Sequence, residues 1–379
     1  VRRGLQQAGF EVHKAAGFGR KRDCLRGRIT ESAAGHRPFP LQETPWHLHQ
    51  AARPASALVL GAGLAGCTVA AALARRGIAV TLLDRAAIAG AGSANDQGVL
   101  YTRLSRKHSS LVDFALQSFQ FAGRQYRQLF STGALQAGRD GELCGSFHQG
   151  GKARDLDYLR DILAPVPDLA AVLDAPEANE QLGVTQEHAG LWYPGSGWLR
   201  PRAVCRALVN DPHITVLEHC GTVALQRGAD SYQAVAGGKV LATAEAAVIA
   251  TAHAASGLPG LEWLPLQPIR GQTSHLQSTA ALGSLKAALC HEGYIAPARD
   301  GRHCIGATFD LHDASTQLRE ADHRRNLQAL ANAVPQWAAE LAAVDITQLE
   351  GRVGLRCASP DYLPLAGPVP DAPTFLQTY

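Results

Sequence analysis

The stretch from Ala55 to Asp84 restricts the fold more than any other part of the chain. Residues 57–60, ALVL, are a short apolar run of the kind a strand buried on both faces needs. They lead into Gly61-Ala62-Gly63-Leu64-Ala65-Gly66 and then into CTVAAALARRG, which has helical spacing and ends at Gly77. A second apolar run, IAVTLLD, closes on Asp84. Strand, glycine turn, helix and strand in this order predict the start of a parallel sheet that binds a dinucleotide. The glycines let the turn tighten and bring backbone N–H groups to a pyrophosphate at the helix N-terminus, and an acid about 20 residues on accepts ribose hydroxyls. Gly61, Gly63, Leu64, Ala65, Gly66 and Asp84 are the expected contacts. A glycine-rich strand-to-helix turn without a ligand is the plainer alternative. Residues 55–74 are also apolar enough to imitate a membrane span, but the turn explains their glycines better.

The fingerprint alone does not separate FAD from NAD; the chain that follows does so in part. Here GAGSANDQGVLY, residues 90–101, comes soon after the second strand, with Gly92, Ser93, Asn95, Gln97 and Gly98 suited to a loop lying against a ring system and phosphates. Residues 213–255 read as short strands, a Gly-Gly turn and a last apolar strand at 246–250. Val223 and, just past that strand, Thr251 complete the expected cofactor contacts. The fold class predicted is α/β, an FAD-binding Rossmann-like domain of the glutathione-reductase type joined to an antiparallel-sheet substrate domain. With 379 residues, 46% hydrophobic, the chain can bury a core of that size. Its eight cysteines are scattered without a CxxC pair. No metal site is expected, and a reduced, cytoplasmic protein is favoured.

Six stretches together resemble a known family: the fingerprint with Asp84, GSANDQGVLY, GLWYPGSGWLRP (190–201), QPIRGQTSHL (267–276), GYIAPARDGRHCIGATFD (293–310) and GRVGLRCASPDYLPLAGPVPD (351–371). They are similar to the FAD-dependent oxidoreductase part of the bifunctional enzymes that make 5-methylaminomethyl-2-thiouridine in tRNA. More broadly they resemble the D-amino-acid-oxidase and glycine-oxidase group, whose fold the chain is expected to share. Residues 1–28 carry eight basic side chains against Glu11 and Asp23, a net +6, while the whole chain stands at +3. By the same resemblance residues 1–29 read as the C-terminal remnant of a methyltransferase domain, a helix tail followed by two strands. Residues 30–54, with four prolines, read as a linker. Residues 55–379 read as the oxidoreductase domain, with interleaved FAD-binding and substrate parts. The family ends in a further strand, glycine turn and helix, which PDAPTFLQTY does not supply, so both ends read as cut.

The resemblance implies oxidation of the carboxymethylaminomethyl group on the wobble uridine of tRNA, with glyoxylate released. An S-adenosylmethionine-dependent methylation would follow in a full-length protein. The arm carries a carboxylate, for which a planar cation with two donors is the expected anchor. Arg356 is the first candidate and Arg270 the next, and Tyr294 is expected to cover the substrate side of the flavin. A structural ion pair, or ordinary packing for Tyr294, is the alternative at each. Asp361 is expected to cap a turn. For the anticodon loop, Arg103, Arg106, Lys107 and His108 are expected to meet phosphate, and Trp192, Tyr193 or Trp198 to stack on a base; such a cluster is more often core. His148 and His188 are expected to be structural. Residues 316–341 predict a helix burying Leu318, Leu327, Leu330, Val334 and Trp337. A monomer without membrane contact is expected. The competing readings are a free-standing glycine- or sarcosine-type amine oxidase, and an incomplete fragment that binds no FAD.

Overall fold

The computed structural model describes residues 1–7, 9–17, 22–29 and 53–369. The chain divides into two compact units, Val1–Ala52 with Ala366–Tyr379, and Arg53–Leu365. In the first, a helix at Arg2–Gln7 precedes strands Phe10–Ala16 and Asp23–Ile29, paired antiparallel from Phe10 against Ile29 to Ala16 against Asp23. Lys14 pairs with Asp23 and Arg28 with Glu11, both at 2.9 Å, so part of the basic charge is met across the hairpin. All but the last two residues of the expected linker, and residues 370–379, lie outside the described residues.

The second unit begins with the predicted nucleotide-binding sheet. Strands β1 (Ser56–Leu60), β2 (Ala79–Leu83), β3 (Ile214–Leu217) and β4 (Ala246–Ile249) lie parallel in the order β3-β2-β1-β4. Helix α1 (Leu64–Ala74) crosses from β1 to β2 and packs on α2 (Pro201–Val209). Its inward residues Cys67, Ala70, Ala71 and Ala74 are at most 4% exposed and small enough for Val204, Cys205 and Leu208 of α2 to pack close. The apolar stretch that imitates a membrane span is therefore a buried strand and a helix. Three antiparallel strands between β3 and β4 carry the Gly-Gly turn, in which Gly237 and Gly238 take φ of 56° and 75°, as a two-residue hairpin requires.

The substrate part is built on a nine-stranded sheet around β5 (Gln267–Gln277), which pairs antiparallel with β6 (Arg302–Gly306) and with β7 (Glu350–Ala358). Beyond β6 the sheet continues to Ser146–Gln149, which joins Ala288–Cys290 in a parallel pair. Register decides what each face of β5 does, because side chains alternate and opposed residues share a face. Ile269 opposes Arg356, Arg270 opposes Leu355, and Gly271 opposes Gly354. Arg270 and Arg356 therefore point to opposite faces.

Helix α3 (Glu320–Ala333) covers the Arg270 face. Its Leu327 and Leu330, with Val334 and Trp337, pack against Leu289, Ile295 and Ile305 of the sheet, each worth about 1.5–3 kcal/mol of burial. The expected helix over 316–341 is shorter than the periodicity implied. Leu318 precedes it and is half exposed, and Pro335, which lacks an N–H, stops it before Trp337.

Candidate active site

The glycine turn lies at the C-terminal ends of β1 and β4, where the order of the parallel strands reverses and such sheets take their ligands. Gly61 has φ 101°, and a Cβ there would sit 2.5 Å from the Ala250 carbonyl oxygen. At Gly66 a Cβ would sit 1.8 Å from the Gly61 oxygen. Neither position admits a side chain. Gly63 is the N-cap of α1 without a side-chain cap, and the N–H groups of Gly63, Ala65 and Gly66 have no acceptor among the described residues. Leu64 N–H donates to Ser93 Oγ at 3.1 Å, so Ser93 stands at the helix mouth. The Asp84 carboxylate accepts from Ala62 N–H at 2.8 Å and Ala86 N–H at 2.9 Å, which fixes it under the turn. Thr251 Oγ1 is buried without a partner among the described residues, and Val223 packs against Leu58, Leu60 and Leu83 at the strand ends. Open amides, an anchored acid and an unmet hydroxyl around a cradle without side chains fit a dinucleotide.

The loop at 90–98 runs from this turn to the substrate sheet. Arg352 Nη2 donates to the Gly90 and Ala91 carbonyls at 3.1 and 2.7 Å, and Gly92 lies so near β7 that a Cβ would be 2.9 Å from Leu355 O. The Gln97 side chain is turned into the protein. It is 2% exposed; Nε2 donates to Pro297 O at 2.8 Å and Oε1 accepts from Cys304 N–H at 3.1 Å, so its side chain ties the loop to the sheet. Asn95 is half-buried in the loop, and Gly98 opens the short strand that pairs with Gly197–Leu199.

The three substrate candidates part company. Arg356 has no ion pair among the described residues; Nη1 donates to Thr308 O at 3.1 Å, and Cζ lies 5.5 Å from the centre of the Phe309 ring. Its guanidinium lies across Gly271, where a Cβ would be 2.1 Å from Nη1. Desolvation lowers its pKa, opposed by the nearby phenols of Tyr294 and Tyr101. Tyr294 donates its hydroxyl to Gln97 O at 2.7 Å, and burial raises its pKa.

Arg270 is not available as an anchor. It is fully buried, its Nη1 donates to Asp322, and Asp310 lies 3.6 Å away. Nε donates to Ser315 O, and Nη2 to Gln272 Oε1 and Gln317 O. Its donors are used inside the protein, which is the structural ion pair named as its alternative. Asp361 accepts from Ser359 Oγ and Leu363 N–H and caps a turn.

Residues 56–378 match the model of the FAD dependent oxidoreductase family. The chain belongs to the FAD-dependent oxidoreductase family. FAD is accordingly its cofactor, a dinucleotide that the glycine turn fits. Among relatives of this flavoprotein is the tRNA 5-methylaminomethyl-2-thiouridine biosynthesis bifunctional protein MnmC of Pseudomonas fluorescens, 38% identical over 386 residues, covering all of this chain and 57% of that protein. The protein of the same description from Stutzerimonas stutzeri is 38% identical over 385 residues, with the same coverage. The flavoprotein thus spans a little over half the length of these relatives, and its residues 1–30 match an S-adenosyl-L-methionine-dependent methyltransferase model. Among solved structures, glycine oxidase from Bacillus cereus superposes with a TM-score of 0.67 at 19% identity over 83% of this chain and 86% of that one. Iminodiacetate oxidase from Chelativorans sp. gives 0.65 at 20% identity over 83% and 87%. These bear out the glycine-oxidase-like fold.

The aromatic residues expected to stack a base belong to the flavoprotein's core. Tyr193 and Trp198 are 1% exposed, and Trp192 fills the space over Gly145. In the basic stretch, Arg106 pairs with Asp155 and His108 with Asp113, each at 2.7 Å; Arg103 and Lys107 have no ion pair among the described residues. His148 lies against Tyr101 and Tyr193, and burial, with Arg103 nearby, pulls its pKa down to about 4. Gly271 and Phe309 were missed as partners of Arg356. Both stood in the stretches that carry the family resemblance, but only the register brings them together.

Proposed function

We propose that this flavoprotein oxidises the carboxymethylaminomethyl arm of a wobble uridine in tRNA, leaving an aminomethyl group and releasing glyoxylate. The observation that carries the reading is Arg356, an unpaired guanidinium beside the loop at 90–98, held by Thr308 O and by the space over Gly271. Bound FAD supplies a two-electron acceptor for the hydride lost from the methylene between amine and carboxylate. Arg356 pairs with the carboxylate and fixes that methylene. The amine nitrogen's lone pair forms the C=N bond as the hydride leaves, and the second proton passes from nitrogen to water. Water then adds to the imine carbon, and the C–N bond breaks to give glyoxylate and the primary amine. Tyr294, its hydroxyl proton committed to Gln97 O, holds the loop against the sheet.

The names of the relatives point to tRNA. A concavity lined by Arg139, Arg200, Arg202 and Arg206, with Asp140 the only carboxylate among its lining residues, supports a polyanionic substrate. In this reading the freed amine becomes the methyl acceptor for an S-adenosylmethionine-dependent domain, part of which residues 1–30 match. The test is anaerobic bleaching of the FAD-loaded protein by tRNA bearing the carboxymethylaminomethyl group, with one glyoxylate released per flavin reduced. Bleaching by glycine or sarcosine but not by that tRNA would make it a small-amine oxidase instead.

A further inference from the structure

One aromatic ring, Phe309, stands open beside Arg356, and a second, Tyr101, is exposed just past the loop at 90–98. Phe309 is 50% exposed and Tyr101 is 53% exposed, and neither belongs to any of the buried clusters. An exposed ring that lies against the guanidinium of a substrate anchor offers a base a stacking face at the site. We propose that Phe309 and Tyr101 form a subsite for an unstacked pyrimidine base, the ring from which the oxidised arm hangs. The proposal rests on the substrate reading above and adds to it the residues that tell a nucleotide-borne amine from a free one.

The two rings are firmly placed. Thr308 O, immediately before Phe309, accepts from Arg356 Nη1, which fixes ring and cation relative to each other at 5.5 Å. Tyr101 leans on the His148 ring at 5.5 Å and 47°, and His148 is held in turn by Ser146 Oγ at 3.2 Å and the Tyr193 ring at 4.8 Å. The Tyr101 phenol is close enough to Arg356 to act on its charge.

The arm has the right length. Four bonds of about 1.5 Å join the uracil ring to the carboxylate carbon, so the ring centre lies about 6 Å from that carbon when the arm is extended. A carboxylate docked on a guanidinium stands about 4 Å from Cζ, and stacked rings lie about 4–5 Å apart. Arg356 Cζ lies 5.5 Å over one face of Phe309, so the base takes the other face, and the arm with its docked carboxylate, about 10 Å together, spans the way back past the ring edge to Cζ. A base can therefore stack on Phe309 while its carboxylate rests on Arg356. Free glycine satisfies Arg356 and reaches neither ring. Arg103 and Lys107, exposed just past Tyr101 and without ion pairs among the described residues, suit the phosphates flanking a base turned out of its stack.

The experiment compares Tyr101→Ala, Phe309→Ala and Tyr101→Phe with the unaltered protein, all FAD-loaded. Anaerobic flavin reduction is measured with an anticodon stem-loop carrying carboxymethylaminomethyluridine and with sarcosine, and the readout is the ratio of kcat/KM between the two. Losing a stacked base lowers that ratio by about 5- to 150-fold, expected in each alanine variant chiefly through KM, while Tyr101→Phe keeps the ratio. Fluorescence anisotropy of a labelled stem-loop gives the same comparison without turnover. A ratio and affinity unchanged in both alanine variants overturn the subsite and leave the substrate reading standing. No reduction of the unaltered protein by the stem-loop, with reduction by sarcosine, brings down both.

Discussion

Gly271→Ala isolates the proposed anchor, Arg356, without replacing it. The added Cβ would lie 2.1 Å from Arg356 Nη1 and 2.8 Å from Cζ, and the three atoms nearest to it all belong to that guanidinium. What must move is thus the far end of a flexible side chain, not backbone. The Gly271 φ lies outside the left-handed region, so alanine fits the strand and lowers the entropy of the unfolded chain, a gain of about 0.4–1 kcal/mol. The fold should keep its stability while Arg356 swings off its place. A charge-assisted, two-pronged hydrogen bond contributes about 1.5–3 kcal/mol, so KM for the carboxylate-bearing arm should rise about 10- to 150-fold, as it should in Arg356→Ala. Melting temperature and anaerobic flavin reduction are measured on both single variants and the double variant. If Gly271 acts only by making room for Arg356, Gly271→Ala adds nothing to Arg356→Ala, within about 0.5 kcal/mol. An unchanged KM in Gly271→Ala, or full additivity in the double variant, refutes the assignment of Arg356 as anchor.

Arg270→Ala leaves buried Asp322 with only the half-exposed Arg325, 3.1 Å from its other oxygen, as an ion-pair partner and should cost up to about 3–5 kcal/mol; a denaturant midpoint unchanged from that of the unaltered protein would show that Arg270 is not structural. Gly66→Ala places a methyl 1.8 Å from the Gly61 oxygen and forces the turn open, so the purified protein should lose its yellow colour and its FAD on gel filtration, whereas stoichiometric FAD would contradict the cradle. Burial holds His148 and His291 at about 4, below the 6.5 of the unfolded chain, so the unfolded state takes up protons first. Their contribution is complete above pH 6.5 and is lost as pH falls towards 4, at most about 3 kcal/mol per group; His291→Gln should flatten the plot of melting temperature against pH over that window, and an unchanged slope would exclude it.

The dinucleotide half was legible because its chemistry is local. Glycine spacing, two apolar runs and an acid lie within 30 residues, and every one of them is spent on backbone geometry that can be reasoned from the sequence alone. The substrate half was legible in content but not in arrangement. Arg270 and Arg356 are both arginines in strands within two residues of a glycine, 86 residues apart, and nothing in either stretch says which face it presents. The deciding information lies in the register between β5 and β7, where a slip of one residue would exchange their faces.

One signal for that choice does stand in the helix that follows. Asp322, His323, Asn326, Leu327 and Leu330 recur at three- and four-residue spacing, so the stripe α3 turns inward is polar at its start. Such a stripe can be buried only against polar partners, and β5 offers them at alternate positions: Arg270 to Asp322, Gln272 O to Asn326, Ser274 to His323. Matching those two polar patterns assigns Arg270, Gln272 and Ser274 to the helix side. Ile269, Gly271 and Thr273 are then left for the other face, with Arg356 opposite Ile269 and free to lie over Gly271. The buried ion pair that removes Arg270 from catalysis is thus also what orients the strand, and turning Arg356 toward the flavin loop follows from it.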